Sequence, residues 1–197
     1  MSDQVAVYGF ETSNNFKVRV ALGYKDIPYA FHTIDPGDRA ELLRLSGQPL
    51  TPVIVHGDAV LFDSAAILRY LDANFLDTPR LFPADAAVLR EVEAWESFAR
   101  RELHEPIMIV VRQRLAGRTD AEEIERAGAL FAEVTSRLEE RLTDRDWLVS
   151  EQMTAADVTA AAVVFRAREA GAFPFPEGRP RMQAWMHRVM AYDRGSG

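Results

Sequence analysis

In "ETSNNFKVRVAL", Glu11 to Leu22, two hydroxyls and two amides, Thr12-Ser13-Asn14-Asn15, stand between a strand-like run and an amphipathic one. A carboxylate beside a hydroxyl, Asp63-Ser64, opens a second apolar-periodic segment, "DSAAILRYLD". A further hydroxyl, Thr51, precedes Pro52 at the head of "TPVIV". Such side chains at a helix start cap its free N–H groups, and the same N–H groups hold anions. The chemistry open to these residues is to receive a carboxylate and to stabilise an anion. None of them is a thiol. The chain contains no cysteine at all, which excludes disulfides, cysteine-based metal sites and CxxC redox chemistry. His32, His56, His104 and His187 are scattered, and "LHEP" lacks the second histidine of a zinc helix, so no metal site is expected.

The elements around these residues change character along the chain. "QVAVYGF" reads as a buried strand, and Asn14 to Lys25 as a helix with Phe16, Val20, Ala21 and Tyr24 on one face. "IPYAFHTID" reads as a strand ended by the "DPGD" turn, and "RAELLRL" as a short helix. "TPVIVHGDAVLFD" holds two strands joined tightly at Gly57-Asp58, with the proline at the first strand's start, where no ladder N–H is needed. "SAAILRYLDANF" repeats Ile67, Leu68, Leu71 and Phe75 at helical spacing. The order is β-α-β-α-β-β-α, the first two strands parallel and the last two an antiparallel hairpin.

"LDTPRLFPAD" reads as a linker, and from Asp85 onward the pattern is helical. Val88, Val92, Trp95 and Ala99 make one stripe; Ile124, Phe131 and Leu138 make another. Pro106 is expected to kink or break the first of these helices. The fold class is therefore α+β: an α/β domain over residues 1–77, a linker at 78–84 and an all-helical domain over 85–197. With 30 acidic against 23 basic residues and a formal charge of -7, nucleic acid is not an expected partner. No apolar run suits a membrane span, and "MSDQVAVYGF" lacks the features of a signal peptide, so the expected location is cytoplasmic.

The order of these segments resembles the glutathione transferase superfamily, a thioredoxin-like domain followed by a helical one. The likeness rests on Thr51-Pro52 before the third strand, on "DSAAILRYLD", on "MTAADVTAAAVV" and on the terminal "PRMQAWMHRVMAY". It implies that Pro52 is cis and that the backbone of Thr51 binds the cysteinyl part of glutathione; the family's usual residue before the proline is a small aliphatic one. It implies that Asp63 and Ser64 meet the γ-glutamyl ammonium and carboxylate, and it suggests Gln48 for the glycyl end. In "MTAADVTAAAVV", Thr154 and Asp157 form a variant capping box, with a structural role.

Under this resemblance the ligand brings the missing thiol. A free thiol has a pKa of ~8.5 and is about 3% thiolate at pH 7; a shift of ~2 units, about 2.7 kcal/mol, makes the thiolate dominant. One strong hydrogen bond and a helix terminus can supply that. Thr12-Ser13-Asn14-Asn15-Phe16-Lys17 is similar to the Thr-Pro-Asn-x-x-Lys loop of bacterial nu-class members, which places Thr12 and Asn14 at the sulfur. Serine-type members place the hydroxyl one position later, at Ser13, and tyrosine types use the first strand, at Tyr8. Thr12 ranks first, Ser13 second and Tyr8 third, with Ser13 expected nearer a helix cap. The function implied is a glutathione-dependent transferase that turns the thiolate on electrophiles, or on disulfides or peroxides, without a cofactor beyond glutathione as co-substrate. The alternative is a non-catalytic dimerisation or assembly module of the same fold. A homodimer is implied, with Phe62, Leu76, Val92 and Trp95 as apolar candidates for its interface or the interdomain core.

Overall fold

Val5 and Val7 alternate with half-exposed neighbours along the first strand, and both are wholly buried. The strand, β1 (Val5–Gly9), is the centre of a four-stranded sheet in the computed structural model, which describes residues 4–195. β1 pairs in parallel with β2 (Tyr29–Thr33) and antiparallel with β3 (Val53–His56), which pairs antiparallel with β4 (Ala59–Leu61). The order is β2-β1-β3-β4. The hairpin turns at Gly57, whose φ of 58° is the left-handed conformation that glycine takes without a Cβ penalty. The intervening helices are α1 (Ser13–Tyr24), α2 (Ala40–Ser46) and α3 (Ser64–Asn74), and α1 packs beside α3. Leu42 of α2 packs with Ile34 and Val53, joined by Tyr8, Phe10 and Leu45.

Helix α1 departs from the amphipathic expectation. Every residue from Asn15 to Gly23 is buried, including Lys17 and Arg19. Arg19 is held by two carboxylates: Nε and Nη2 donate to Asp193 at 2.8 Å each, and Nη2 also donates to Glu11 at 2.9 Å. Burial opposes its charge, but the two carboxylates outweigh burial and hold the guanidinium firmly protonated. Asp193 belongs to a C-terminal segment that runs against α1. Gly23 is needed there, since a Cβ would lie 1.9 Å from the carbonyl oxygen of Tyr192. The Tyr192 ring meets Tyr24 edge-on at 5.2 Å, and the Tyr29 hydroxyl donates to the Gly195 carbonyl at 2.8 Å.

The chain divides into two compact units: residues up to Phe82 together with those from Met190 onward, and Pro83–Val189. The boundary after Phe82 lies in the 78–84 segment, whereas the residues from Met190 onward, read from sequence with the helical domain, belong to the first unit. The second unit contains α4 (Ala86–Phe98), α5 (His104–Leu115), α6 (Ala121–Arg141), α7 (Ala155–Glu169) and α8 (Pro180–Met190), whose last residue is the first of the C-terminal segment. Helix α7 is buried from Ala155 to Val164 and packs against α4 and α5. Its start carries the Thr154–Asp157 capping box, and Asp157 also accepts from Leu148 N–H at 2.8 Å and Trp185 Nε1–H at 2.9 Å.

Pro106 does not break the chain's helical path. The five residues Ala99–Leu103 form a π-helical segment between α4 and α5, where His104 N–H reaches back to Ala99 O. Proline cannot donate to the carbonyl four residues before it and its ring crowds that carbonyl; a widened turn just upstream absorbs the mismatch. A wholly buried carboxylate, Glu96, precedes the widened turn and accepts from Thr159 Oγ1 at 3.0 Å and Arg100 at 3.3 Å. No helix among the described residues is long and apolar enough to cross a membrane, and no cluster of three or more metal-ligating side chains occurs among them.

One buried ion pair fixes the end of the first unit. Lys25 Nζ donates to Asp72 at 2.8 Å and to the Pro79 carbonyl at 2.9 Å, and Asp72 accepts from the N–H groups of Leu81 and Phe82 at 2.8 and 3.0 Å. The Lys25 side chain is fully buried and that of Asp72 is 5% exposed. Removing one partner leaves the other charge stranded in the interior. Asp72→Ala is therefore expected to cost about 3–5 kcal/mol, read as a shifted midpoint in urea unfolding. A change below about 1 kcal/mol, the range of exposed pairs, contradicts this account of the pair.

Candidate functional site

The site residues lie in the first unit, at the starts of two helices and one strand. Thr12 is extended, with φ −149° and ψ 160°, and is the N-cap of α1: its Oγ1 accepts from Asn15 N–H at 3.3 Å. Ser13 is the first helical residue, half-buried, so the cap expected near Ser13 belongs to Thr12. The physical reason is local. The residue whose backbone is still extended can turn its side chain back to the third N–H of the helix, and residue 12 has that geometry.

Asn15 does more than lend its backbone N–H. It is wholly buried, and its Nδ2 donates to Thr12 Oγ1 at 2.8 Å and to Thr51 Oγ1 at 3.0 Å. Thr51 Oγ1 in turn donates to the Tyr8 carbonyl at 3.2 Å. Gly9 makes room for this cluster, because a Cβ there would lie 2.0 Å from Asn15 Oδ1 and 2.3 Å from Thr51 Oγ1. The Thr51–Pro52 peptide is cis. The opening loop and the head of β3 are thus tied together through one amide. Asn15 did not stand out in the sequence as a site residue, although Thr12-x-x-Asn15 has capping-box spacing with a shorter amide at the last position.

A second link runs to α3. Asp63 is the N-cap of α3 and accepts from Ala66 N–H at 2.8 Å. Ser64, the first residue of the helix, donates from Oγ to Asn14 Oδ1 at 3.3 Å. The first N–H groups of α1 and of α3 have no partner within their own helices, and the aligned peptide dipoles leave positive charge at both ends. Thr12, Asn14, Thr51, Pro52, Asp63 and Ser64 therefore belong to one connected assembly.

Other candidates are placed differently. Gln48 Nε2 donates to Ser46 Oγ at 2.8 Å and to the Leu50 carbonyl at 3.1 Å, while its Oε1 accepts from Leu50 N–H at 2.7 Å. Its amide closes its own loop, so contact with a ligand competes with those bonds. The Tyr8 ring stacks on His32 with centroids 4.5 Å apart, and among the described residues no hydrogen bond joins its hydroxyl to the opening loop. Arg39, unremarked in the sequence, lies over the Phe10 ring at 5.1 Å and donates to the carbonyls of Pro36 and Pro49 at 3.1 and 3.2 Å.

Comparison with known proteins also divides the chain near residue 80, with the residues after Val189 grouped differently. A family model described as "Glutathione S-transferase, N-terminal domain" matches residues 7–79, and one described as "Glutathione S-transferase, C-terminal domain" matches residues 98–193. Glutathione S-transferase theta-2 of Homo sapiens is 30% identical over 176 residues, covering 84% of this chain and 72% of the relative. Glutathione S-transferase 3 of Zea mays is 28% identical over 199 residues, covering 94% and 88%. Among solved structures, a glutathione S-transferase from the Antarctic clam Laternula elliptica aligns with a TM-score of 0.81 at 22% identity, over 97% of this chain and 89% of that one. One from Rhodospirillum rubrum aligns with a TM-score of 0.78 at 25% identity, over 95% and 88%. On the matched domains and the human relative, the chain belongs to the glutathione S-transferase family.

Proposed function

We propose that this chain is a glutathione-dependent transferase in which Thr12 activates the thiol of bound glutathione. The observation that carries the assignment is the state of the Thr12 hydroxyl. Its oxygen accepts two N–H groups from Asn15, one from the backbone and one from the side chain. With both lone pairs engaged, the hydroxyl has only its proton left to offer, and a thiolate is an acceptor for it. The positive end of α1 favours the same anion. Ser13, the first helical residue, is the second choice for this role.

For the rest of the ligand, the family's pattern supports contacts at the matching residues. The backbone at Thr51-Pro52 takes the cysteinyl unit. The N-terminus of α3 with Ser64 takes the γ-glutamyl carboxylate, and Asp63 takes its ammonium group. Ser64 Oγ donates to Asn14 Oδ1 at 3.3 Å, and a ligand carboxylate that accepts from Ser64 takes the place of Asn14 as its acceptor. The thiolate's electron pair then forms the new bond to an electrophilic atom, and the bond broken leaves its pair on the departing group. That group is chloride from a chloronitrobenzene, a thiolate from a disulfide, or an alkoxide protonated by water from a hydroperoxide, with a sulfenic acid left on the glutathione sulfur. An assembly module of this fold needs neither the hydroxyl cap of α1 nor the carboxylate cap of α3, and these two caps support the catalytic reading over it. Assays with glutathione and a chloronitrobenzene, a disulfide or a hydroperoxide test the transferase reading and assign the electrophile class; no turnover of any of them contradicts it.

Exposed Phe62 and Leu76 support a homodimer, while Val92 lies inside the second unit and Trp95 packs edge-on against Phe98 at 5.2 Å. Sedimentation at micromolar concentration is expected to give a dimer, and a monomer alone contradicts it.

Two substitutions follow from the site. Thr12→Ala is expected to raise the bound thiol's pKa and lower turnover roughly ten- to thousandfold, while also losing a helix cap worth about 1 kcal/mol. Ser13→Ala, away from the cap, is expected to leave both nearly unchanged. Thiolate absorbance followed against pH checks this; a low-pKa thiolate lost in Ser13→Ala and kept in Thr12→Ala reverses the assignment. Ser64→Ala is expected to weaken glutathione binding by about 1.5–3 kcal/mol, the range for hydrogen bonds to charged groups. Calorimetric titration with unchanged affinity defeats the α3 assignment.

A further inference from the structure

The Tyr8 carbonyl, Thr51, Asn15 and Thr12 form a chain of hydrogen bonds with a direction. A backbone carbonyl can only accept, so the Thr51 hydroxyl spends its proton on Tyr8 O at 3.2 Å, the shorter of its two acceptor contacts. Its oxygen can then only accept, and Asn15 Nδ2 supplies that bond at 3.0 Å. This sets the nitrogen of the Asn15 amide against both threonines, with Oδ1 farther from Thr51 Oγ1 at 3.4 Å, and the second N–H goes to Thr12 Oγ1 at 2.8 Å. The order of donors and acceptors fixed at one carbonyl is thereby carried to the Thr12 proton.

We infer that Asn15 and Thr51 are positioning residues which fix the orientation of the Thr12 hydroxyl, so that its proton points away from the protein network and toward the ligand sulfur. The inference rests on Thr12 being the thiolate partner. Three features of this chain support it. Asn15 is wholly buried, so no solvent competes for its amide. Gly9 leaves the space that the Asn15 and Thr51 side chains fill, at distances of 2.0 and 2.3 Å from where a Cβ would stand. Thr51 occupies a position where the family resemblance implies a small aliphatic residue, which has no hydroxyl to orient an amide. Without the Thr51 hydroxyl, nothing on that side distinguishes the two ends of the Asn15 amide. A flipped amide presents Oδ1 to Thr12, takes the hydroxyl proton and removes the donor from the sulfur. Thr51 would thus act on the thiol through Asn15, with its own side chain not touching the sulfur.

The test is the pKa of the thiol in the glutathione complex, followed by thiolate absorbance against pH at saturating glutathione with no electrophile present. Thr51→Val, nearly the same shape, is expected to raise that pKa by about one unit, and Thr51→Ser to keep it near the wild-type value. Thr51→Ala serves as a second hydroxyl-free variant if the valine does not fit. A merely structural role for Thr51 changes affinity or stability without moving the pKa in step with the hydroxyl. If Thr12→Val raises the pKa but Thr51→Val and Thr51→Ala leave it in place, the relay is wrong and Thr12 still stands. If Thr12→Val itself leaves the pKa unchanged, the Thr12 assignment and the relay fall together.

Discussion

A helix cannot satisfy its own first N–H groups, and the start of α1 presents that deficit beside the head of β3. Contacts along its length in the first unit hold the helix in place. Asn15 ties its first turn to Thr51, Arg19 ties its middle to Glu11 and Asp193, and Gly23 lets the backbone at Tyr192 press against its last turn. Lys25, just past its end, is fastened to Asp72. A helix buried from residue 15 to residue 23 with paired charges on it has little freedom to shift. Electrostatic stabilisation of an anion is worth most when the donors are already in place, because no reorganisation is then required at the moment of reaction.

The two helix starts in the assembly differ in their caps, and the difference fits what each is proposed to hold. Helix α3 is capped by a carboxylate, Asp63, and α1 by a neutral hydroxyl, Thr12. A carboxylate at the α1 cap would repel a thiolate and raise its pKa. At α3 the same carboxylate suits a ligand that carries an ammonium group beside its own carboxylate. The one acid adjoining the α1 cap, Glu11, is paired with Arg19, which offsets its charge.

Much of this was legible in the sequence. The alternation around Val5 and Val7, the Gly57-Asp58 turn and the 3–4 spacing of Ile67, Leu68 and Leu71 are local signals, and each element formed where its pattern lies. The Thr154–Asp157 capping box was legible for the same reason. Apart from the widened turn before Pro106, the losses were long-range or of one-residue precision. Arg19 lies off the apolar face that the helix spacing gives, and its burial depends on Asp193, 174 residues on. The buried Glu96 has its partner, Thr159, 63 residues away, beyond the reach of any local pattern. The choice between Thr12 and Ser13 as cap turns on a single residue of helix register, which apolar periodicity does not resolve. Asn15 was hidden because its second partner, Thr51, is 36 residues away.

The central claim is that the start of α1 and the Thr12 hydroxyl hold glutathione as its thiolate. The most direct measurement is the thiol pKa of glutathione bound to the unmodified protein, from ultraviolet thiolate absorbance across pH. The account predicts a value about two units below the ~8.5 of a free thiol. A saturated complex whose thiol titrates like free glutathione would contradict it.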